Sequence, residues 1–334
     1  MTDPASPIWD VLRSTWRAAA MRTMAELRCA DHLADGPLTV AELAARCDAH
    51  APSLGRLMRT MASVGLVETV GEDRYALTET GALLRTDTPF SLHSGVLFNT
   101  DPTMAPALAG LTSTVRSGRS NWVETKGVLY DYMASDPDLL ALFNDFMTNR
   151  AVPMAAGVAE RYDFSGVRTL VDVGGGRGHF TAAILRANPE IRGTLLELAQ
   201  VLPAAREALE SWDLGDRCEL VAGDFFDAVP PGADAYLLGS VVHNWDDAAA
   251  LHILGSVREA MPEDGRLLLV EIVLPDDDQP HFGKDLDIRM LCIFGQGRER
   301  SRSEYTVLLE KAGFTMTDVV ELPFNASLIE ARPV

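Results

Sequence analysis

The segment from Val171 to Phe180 reads VDVGGGRGHF and contains the residue types that a ligand-binding turn needs. Asp172 lies near the end of an apolar stretch, and Gly174, Gly176 and Gly178 follow at alternate positions. Glycine adopts positive φ at little cost and lets a ligand approach the backbone amides closely. We therefore predict a strand, a glycine-rich turn and a helix start, with a small ligand at the turn. A tight turn without any ligand is the alternative.

The spacing of these glycines bears on which ligand is bound. A dinucleotide fingerprint has the form G-x-G-x-x-G, in which the third glycine packs the helix against the strand. His179 occupies the position of that third glycine. The pattern is more typical of a ligand that lies flat on backbone amides than of a pyrophosphate bound at a helix N-terminus. It therefore disfavours a nicotinamide-dependent oxidoreductase.

Two further acids follow predicted strands. The strand Arg192–Leu196 is followed by Glu197, at the position where an acid accepts hydrogen bonds from ribose hydroxyls. The strand Glu219–Ala222 precedes Asp224 and Phe225, which offer an acceptor for an adenine amino group and a ring face for the base. Parallel strands bind ligands at their carboxyl ends, so three acids at these ends indicate an adenosine ligand without phosphate groups. Each acid alone is also compatible with a helix cap or a solvated turn.

His243 follows a fourth predicted strand, Ala235–Val241, and faces the same edge of the sheet. Near neutral pH a histidine accepts a proton from a phenolic hydroxyl, and a carboxylate at its other nitrogen stabilises the imidazolium. Glu299 and Glu330 are the candidates for that carboxylate. A structural role is the alternative for His243, a surface ion pair for Glu299 and a strand cap for Glu330.

The elements that position these residues alternate between strand and helix from Val167 onward, which predicts a parallel sheet with helices on both faces. The apolar segment Arg266–Leu274 predicts a central strand. A helix over Ser303–Ala312 then precedes two last strands near Thr317–Leu322 and Ser327–Ala331. These two pair as a hairpin, so we expect seven strands with a reversed one at the end.

The N-terminal part, from Ile8 to about Pro106, is predicted to be mainly helical. A capping box at Thr39–Glu42 opens a helix through Arg46, and another helix begins near Pro52. A hairpin of Leu66–Val70 and Arg74–Leu77 follows. This is a winged-helix pattern, for which a DNA-binding regulator is one interpretation and a scaffold for packing and dimerisation is the other.

The composition limits the class of protein. The chain has 334 residues, 47% of them hydrophobic, and a formal net charge of −19, which argues against a nucleic-acid partner. The cysteines lack paired spacing, which predicts reduced thiols, a cytoplasmic protein and no metal site: Cys29, Cys47, Cys218, Cys292. No secretory signal pattern or apolar run of membrane-spanning length is present, so we expect no membrane association.

Taken together, five segments resemble those of S-adenosylmethionine-dependent small-molecule O-methyltransferases, in particular the plant caffeate-type and bacterial polyketide-tailoring family. They are VDVGGGRGHF, LLELAQVL, AGDFF, VVHNWDD and GRERS. The resemblance covers nearly the whole chain. The chain differs from plant members at three positions: Glu197, where they usually have Asp, Gly239, where they commonly have Lys, and Asn244, where Asp is frequent.

The resemblance implies an α/β fold: a Rossmann-like seven-stranded methyltransferase sheet with a mainly helical, winged-helix-like N-terminal dimerisation domain. The implied domains are 1–106 for dimerisation, 107–165 as a helical linker that contributes to the acceptor pocket, and 166–334 for S-adenosylmethionine binding and catalysis. The implied assembly is a homodimer, with an apolar N-terminal helix that contains Ile8 and Trp16.

The resemblance also implies a role for individual residues. His243 would be the base, flanked by Glu299 and Glu330. The cofactor would contact a set of residues at the strand ends and one methionine: Asp172, Gly174, Gly176, Glu197, Leu198, Gly223, Asp224, Phe225, Ser240, Met147. An aromatic, polyketide-derived acceptor would contact a second set: Phe143, Met154, Asn244, Met290, Leu291, Phe294. Phe143, Met147 and Met154 fall at helical intervals, for which packing in the core is the first interpretation and a pocket wall is a compatible one.

The implied reaction is methyl transfer from the sulfonium of S-adenosylmethionine to a phenolic oxygen, with S-adenosylhomocysteine as the product. The principal alternative is an enzyme of the same fold that binds this cofactor but catalyses hydroxylation, decarboxylation or ring formation, because one fold supports several chemistries.

Overall fold

The structure is a computed structural model that describes residues 4–334. The chain divides into two compact units. The first unit comprises the described residues up to Pro106 together with Tyr132–Asn149, and the second comprises Ala107–Asp131 and Arg150–Val334. The predicted linker 107–165 therefore contributes residues to both units instead of forming a unit of its own.

The α-helices are numbered in chain order. Their bounds are α1 Ser6–Glu26, α2 Cys29–His32, α3 Val40–Arg46, α4 Ala51–Ser63, α5 Glu79–Ala82, α6 His93–Asn99, α7 Ala105–Ala109, α8 Leu111–Ser117, α9 Asn121–Lys126, α10 Leu129–Ala134, α11 Pro137–Arg161, α12 His179–Ala187, α13 Leu202–Ser211, α14 Asp247–Ala260, α15 Phe282–Arg289 and α16 Arg302–Lys311. Short 3₁₀ turns lie at Pro102–Met104, Gly215–Arg217 and Val242–Asn244, and a π-helical turn lies at Met290–Phe294.

The strands are numbered in the same way. Their bounds are β1 Leu38–Thr39, β2 Val67–Val70, β3 Arg74–Leu77, β4 Thr169–Val173, β5 Arg192–Glu197, β6 Cys218–Ala222, β7 Ala235–Gly239, β8 Arg266–Glu271, β9 Val273–Leu274, β10 Arg300–Ser301, β11 Phe314–Glu321 and β12 Ser327–Pro333.

The second unit is built on a seven-stranded sheet with the order β11-β12-β8-β7-β4-β5-β6. The five strands β4 to β8 run parallel, whereas β12 pairs antiparallel with both β8 and β11. The order reverses direction at β4, which leaves the crevice at the carboxyl ends of β4, β5 and β7 as the place where ligands bind in such sheets. The predicted seven-stranded sheet with a reversed strand is confirmed.

The sheet is apolar on both faces because helices cover both of them. Leu170, Leu195 and Leu237 enter one buried cluster. The neighbouring residues of the same strands, Val171 and Leu238 among them, enter a second cluster. This alternation explains why the strands read as nearly continuous apolar segments and why β8 and β7 are interior strands.

The first unit contains the predicted winged-helix elements. Thr39 and Glu42 form a reciprocal capping box at the start of α3. The strands β1, β3 and β2 form a three-stranded antiparallel sheet. The core of this unit includes Met24, Leu43 and Met58, all fully buried.

Unlike the core residues of this unit, the N-terminal half of helix α1 exposes large apolar side chains. They are Ile8 (65% exposed), Trp9 (56%), Val11 (71%), Leu12 (50%) and Trp16 (67%). Within residues 4–334, none of the helices combines the length and apolarity that a membrane crossing requires.

Gly81 is required where α5 packs against the loop before β2. A Cβ atom at this position would lie 1.8 Å from the carbonyl oxygen of Leu66, which is backbone and has little freedom to move. We predict that Gly81→Ala lowers the free energy of unfolding of the first unit by about 1–3 kcal/mol, the usual cost of overpacking. Thermal unfolding followed by circular dichroism measures the effect.

Gly55→Ala is the matched control in the same unit, because a Cβ there would lie 3.4 Å from Val40, an ordinary contact, in the middle of α4. Alanine is a better helix former than glycine, so we expect this change to be neutral or slightly stabilising. Equal unfolding temperatures for the two variants would contradict the packing argument.

Candidate active site

The glycine-rich turn has the backbone geometry that its sequence predicts. Gly174, Gly176 and Gly178 all have positive φ, at +68°, +56° and +82°. A Cβ atom on Gly174 would lie 3.3 Å from both the Phe225 ring and Val241. At Gly174 the turn therefore packs closely against the loops after β6 and β7, whereas a Cβ on Gly176 would lie in open space.

Asp172 lies underneath this turn. Its side chain is 1% exposed, and Oδ2 accepts a 2.6 Å hydrogen bond from the Thr181 hydroxyl. Burial raises the pKa of Asp172 to about 6, although the hydrogen bond from Thr181 lowers it. Its other oxygen, Oδ1, is buried and has no hydrogen-bond partner within residues 4–334. Buried polar atoms normally have a partner, so this oxygen fits a donor supplied by a ligand.

Glu197 ends β5 next to the turn. The backbone amides of Leu198 and Gly176 act on its carboxylate, but burial outweighs them and raises its pKa. The nearby Glu197 charge also raises the pKa of Asp172. The first two predicted acids therefore come together at the ends of adjacent strands.

The third predicted acid lies after β6. The Asp224 carboxylate accepts a 2.9 Å hydrogen bond from the Phe226 amide, which fixes the turn. Gly223 is held close to β5, because its amide donates to the Glu197 carbonyl at 3.0 Å and a Cβ there would lie 2.9 Å from Leu196. Leu198 is 42% exposed beside these groups and offers an apolar surface.

The loop after β7 begins at Ser240, whose φ of 56° is unusual for a residue with a side chain. Its amide donates to the Val270 carbonyl at 2.8 Å, and its carbonyl accepts from the Asn244 side chain at 3.0 Å. These bonds direct the chain into the 3₁₀ turn that carries His243.

His243 is buried, at 6% exposure, and its ring contacts the Glu299 carboxylate. The distance from His243 Nδ1 to Glu299 Oε1 is 2.9 Å. Because a carboxylate accepts hydrogen bonds, this contact assigns the proton of neutral His243 to Nδ1 and leaves a lone pair on Nε2. Glu299 is itself 1% exposed. The structure thus brings together two residues that the sequence reasoning selected from distant segments.

Glu271, which the sequence reasoning missed, is the second carboxylate at His243. It ends β8, is 2% exposed, and accepts hydrogen bonds from the amides of Val242 (2.8 Å) and His243 (3.4 Å). Burial raises its pKa to about 7, with His243 opposing and Glu299 reinforcing the effect. The signal was present in the sequence, because Glu271 ends an apolar strand in the same way as Glu197.

The two carboxylates determine the ionisation of the histidine. Burial alone lowers the pKa of His243, but the Glu271 charge and the hydrogen bond to Glu299 together outweigh it and raise the pKa above its ordinary value. The nearby Arg150 guanidinium opposes this increase. A raised pKa makes the imidazole a stronger base.

The structure does not bring Glu330 to His243, so this expectation needs a correction. Glu330 lies on β12 opposite Leu268, in the middle of β8, and its carboxylate pairs with Arg332 at 2.8 Å. It also raises the pKa of Tyr162, which follows α11. Only Ser327, at the other end of β12, pairs with Glu271. The antiparallel register therefore carries Glu330 away from the carboxyl ends of the parallel strands.

The predicted acceptor-binding residues differ in exposure. Leu291, Phe294 and Asn244 are half-buried. Met290 is 2% exposed and packs close to Gly297, where a Cβ would lie 2.6 Å from its methyl carbon and 3.0 Å from the His243 carbonyl. Met290 thus supports the wall of the histidine site from behind.

For Met154 the structure favours the core-packing interpretation over the predicted contact with the acceptor. It is 2% exposed within the core cluster that covers one face of the sheet, so it offers almost no surface to an acceptor. Phe143 and Met147 lie on α11 in the first unit, where the Phe143 ring centroid is 5.2 Å from that of Phe98. Their contacts with an acceptor and a cofactor remain predictions.

The residues at the strand ends suit S-adenosylmethionine. The glycine turn leaves backbone open, Asp172 has an unsatisfied oxygen, Glu197 faces the turn, and Phe225 supplies a ring beside Gly174. None of these groups is cationic, which agrees with a ligand that has no phosphate. Within residues 4–334, no three side chains of the metal-binding types come together as a metal site.

Family models match most of the chain. Residues 108–315 match the O-methyltransferase domain and residues 9–87 the O-methyltransferase dimerisation domain. The phenazine O-methyltransferase PhzM of Lysobacter antibioticus is 36% identical over 331 residues, which cover 99% of this chain and 96% of that protein. The aclacinomycin 10-hydroxylase RdmB of Streptomyces purpurascens is also 36% identical, over 94% of this chain and 87% of that protein.

Solved structures agree with these matches. The calicheamicin biosynthesis methyltransferase CalO1, in its S-adenosylhomocysteine-bound form, has a TM-score of 0.92 at 33% identity and full coverage of both chains. The neocarzinostatin biosynthesis O-methyltransferase NcsB1, in complex with S-adenosylmethionine and 2-hydroxy-5-methyl naphthoic acid, has a TM-score of 0.76 at 34% identity, covering 95% of this chain and 96% of that one.

The fold, the strand-end acids and these matches lead to one conclusion. The chain belongs to the S-adenosylmethionine-dependent O-methyltransferases that combine an O-methyltransferase domain with an N-terminal dimerisation domain.

Proposed function

We propose that the acceptor is a phenolic hydroxyl of an aromatic natural product and that His243 removes its proton. The observation that carries this proposal is the buried His243–Glu299 pair, with Nδ1 held by the carboxylate and Nε2 left as the acceptor. Relatives named for phenazine, hydroxybenzoate and naphthoate acceptors support an aromatic ring. When bound, S-adenosylmethionine supplies an electrophilic methyl group on a sulfonium.

In this proposal the strand-end residues bind and orient the cofactor. The glycine turn and Asp172 hold its methionine part, Glu197 accepts hydrogen bonds from the ribose, and Asp224 with Phe225 binds the adenine. Alignment of the reacting atoms supplies a large part of the rate enhancement. The environment of His243 excludes water, which favours a step in which a phenolate and a sulfonium neutralise each other.

The two glutamates stabilise the protonated form of His243. When His243 accepts it, the positive charge forms beside Glu299 and Glu271, both of which are buried. A nearby anion in a buried site stabilises the imidazolium strongly. The second candidate reaction is hydroxylation on the same scaffold, which the similarity to RdmB favours.

We also propose that the protein is a homodimer and that the apolar face of α1 contributes to the interface. The match to a dimerisation domain and the exposure of Trp9, Val11 and Trp16 support this proposal. Large exposed apolar patches rimmed by polar residues mark protein–protein interfaces.

The base role of His243 is tested with methyl-labelled S-adenosylmethionine and a panel of hydroxylated polycyclic aromatics. We expect wild-type protein to place the label on a phenolic oxygen. His243→Ala should lose about 10²- to 10⁴-fold in kcat, the usual contribution of a general base, while its affinity for S-adenosylhomocysteine by calorimetry stays unchanged.

His252→Ala serves as the control, because His252 lies on α14 and contacts Phe226 instead of the glutamates. Its turnover should match wild type. Full turnover in His243→Ala would remove His243 from the mechanism. Consumption of dioxygen with incorporation of a hydroxyl group, and no labelled product, would favour the second candidate reaction.

The charge on Glu271 has a predicted effect on the pH profile. His243 acts as a base only when neutral, so turnover rises with pH through the pKa of His243. Glu271→Gln removes an anion and leaves Glu299 and Arg150 as the charged groups that act on the imidazole. The pKa of His243 then falls, and the acidic limb of kcat against pH should move to lower pH.

Glu330→Gln is the matched comparison for this profile. Glu330 is a carboxylate of the same sheet that pairs with Arg332 and does not act on His243. We expect its acidic limb to coincide with that of wild type. An unchanged limb in Glu271→Gln, measured with intact protein by circular dichroism, would contradict the electrostatic role of Glu271.

Arg300 holds the turn that carries His243 from the opposite side. It is 1% exposed, and its guanidinium donates to the carbonyls of Val242 (3.2 Å) and Trp245 (2.9 Å). It also donates twice to the Asp247 carboxylate, at 2.8 and 3.0 Å. Glu271 thus binds amides of the turn while Arg300 binds its carbonyls.

Arg300→Lys should lower kcat by about 10- to 100-fold, because a misplacement of the order of 1 Å is sufficient for such a loss. Lysine keeps the charge but cannot reproduce the planar fork of donors. Steady-state kinetics with the affinity for S-adenosylhomocysteine as a second readout separates misplacement from loss of cofactor binding. Wild-type kcat in this variant would show that the turn is held without Arg300.

A further inference from the structure

Asp287 on α15 contacts the segment that carries Glu299. Its Oδ1 accepts a 2.8 Å hydrogen bond from the backbone amide of Glu299, which lies 12 residues further along the chain. Asp287 is half-buried and has no role in the steps above. A side chain that binds the backbone of the residue paired with His243 can influence where that residue lies.

The Glu299 carboxylate is fixed through only one of its oxygens. Oε1 lies 2.9 Å from His243 Nδ1, whereas Oε2 is buried and has no hydrogen-bond partner within residues 4–334. A glutamate side chain has several rotatable bonds and loses much entropy when it is held in place. The position of the carboxylate therefore depends strongly on where the backbone of Glu299 lies.

That backbone is attached at three consecutive residues. The Arg298 amide donates to the His243 carbonyl at 2.8 Å. The Arg300 guanidinium donates to two carbonyls of the same turn. The Glu299 amide, which lies between them, donates to Asp287 instead. Two attachments thus lead to the turn of His243 itself, and α15 supplies the third.

Helix α15 is a firm support for this attachment. Near its start, a Cβ on Gly283 would lie 2.6 Å from Leu274, so the helix packs closely against β9. At its end, the helix continues into the π-helical turn, whose Cys292 carbonyl accepts a 2.6 Å hydrogen bond from the buried Ser120 hydroxyl. Both ends of α15 are held, as a residue that positions another requires.

The surroundings of Asp287 oppose its charge. Burial raises its pKa most, and the hydrogen bond from the Glu299 amide lowers it. The Glu299 and Glu304 charges raise the pKa further, whereas the Arg298 guanidinium lowers it. A half-buried carboxylate needs a compensating contact, and the bond from the Glu299 amide is the direct one.

Resting on the proposed role of His243 as the base, we propose that Asp287 is a positioning residue for Glu299. By holding the Glu299 amide it keeps the carboxylate at Nδ1 of His243, which leaves Nε2 as the acceptor of the proton. A hydrogen bond to a carboxylate is stronger than one between neutral groups. Asp287 acts through Glu299 and not on the reacting atoms.

The pH profile reports this effect. Burial lowers the pKa of His243, Glu271 and Glu299 together raise it above its ordinary value, and Arg150 opposes them. Displacement of Glu299 weakens one of the two raising contributions. The pKa of His243 then falls, and the acidic limb of kcat against pH moves to lower pH.

The test compares Asp287→Ala with Asp287→Asn in the full-length protein. Both changes remove the charge, but asparagine keeps an acceptor oxygen for the Glu299 amide. We expect Asp287→Ala to lose about 10- to 100-fold in kcat, as a displacement of the order of 1 Å does, with its acidic limb at lower pH and its affinity for S-adenosylhomocysteine unchanged. Asp287→Asn should recover most of kcat and the limb of wild type.

A spectroscopic readout follows the Glu299 contact directly. In protein that contains isotope-labelled histidine, a ring proton held by a carboxylate resonates far downfield in proton NMR, and His243→Ala identifies the signal of His243. We expect Asp287→Ala to lose this signal and Asp287→Asn to keep it. Asp285→Ala is the control, because Asp285 is exposed on the same helix, and it should match wild type in every measurement.

Two outcomes would overturn the proposal. One is a downfield signal that persists in Asp287→Ala, and the other is an equal loss of signal and kcat in Asp287→Ala and Asp287→Asn. If Asp287→Ala does not fold, Asp287→Leu takes its place under the same criteria, because leucine fills the site without offering an acceptor.

Failure of this inference is distinguishable from failure of the proposed function. The downfield signal requires the contact between His243 and Glu299 but no turnover. If His243 is not the base, His243→Ala keeps its turnover while the signal still depends on Asp287. If Asp287 does not position Glu299, the signal persists in Asp287→Ala while His243→Ala still loses turnover.

Discussion

The structure depends on burying the hydrogen-bonded pair of His243 and the Glu299 carboxylate, which costs free energy because the carboxylate loses water. Both side chains are almost fully buried, and desolvation of a charge is costly unless its partners compensate. The molecule compensates with a second carboxylate, Glu271, and with a guanidinium, Arg300, which bind opposite sides of the same turn. The turn is held through its own backbone, so its histidine has little freedom to move.

This arrangement follows from how parallel strands end. Asp172, Glu197 and Glu271 are each at or next to the last residue of a strand that is otherwise apolar. The strands are buried on both faces, so the first polar residue at the carboxyl end lies at the boundary between the core and the crevice. The raised pKa values of all three carboxyl groups have burial as their largest cause. Ligand binding and burial are therefore consequences of the same topology.

The two halves of the site have different electrostatic character. The cofactor half contains acids and backbone amides, which suits a cationic sulfonium nucleoside. Around His243 a cationic group is also present, because the Arg150 guanidinium interacts with Glu299 and Glu271. Arg150 lowers the pKa of His243 while Glu271 and Glu299 raise it. The pKa of His243 is thus set by a balance of opposite charges around one imidazole.

The sequence by itself determined the sheet, the glycine turn, the cofactor class and His243, because these depend on local patterns: apolar strands, positive-φ glycines and polar residues at strand ends. It did not determine which carboxylates meet His243. Glu299 and Glu330 are equal candidates along the chain, and only the register of β12 against β8 separates them by placing Glu330 opposite Leu268. Tertiary packing likewise brought Glu271 and Arg300 to the same turn. Contacts between residues distant in sequence depend on strand register and helix packing, and no pattern within one segment specifies them.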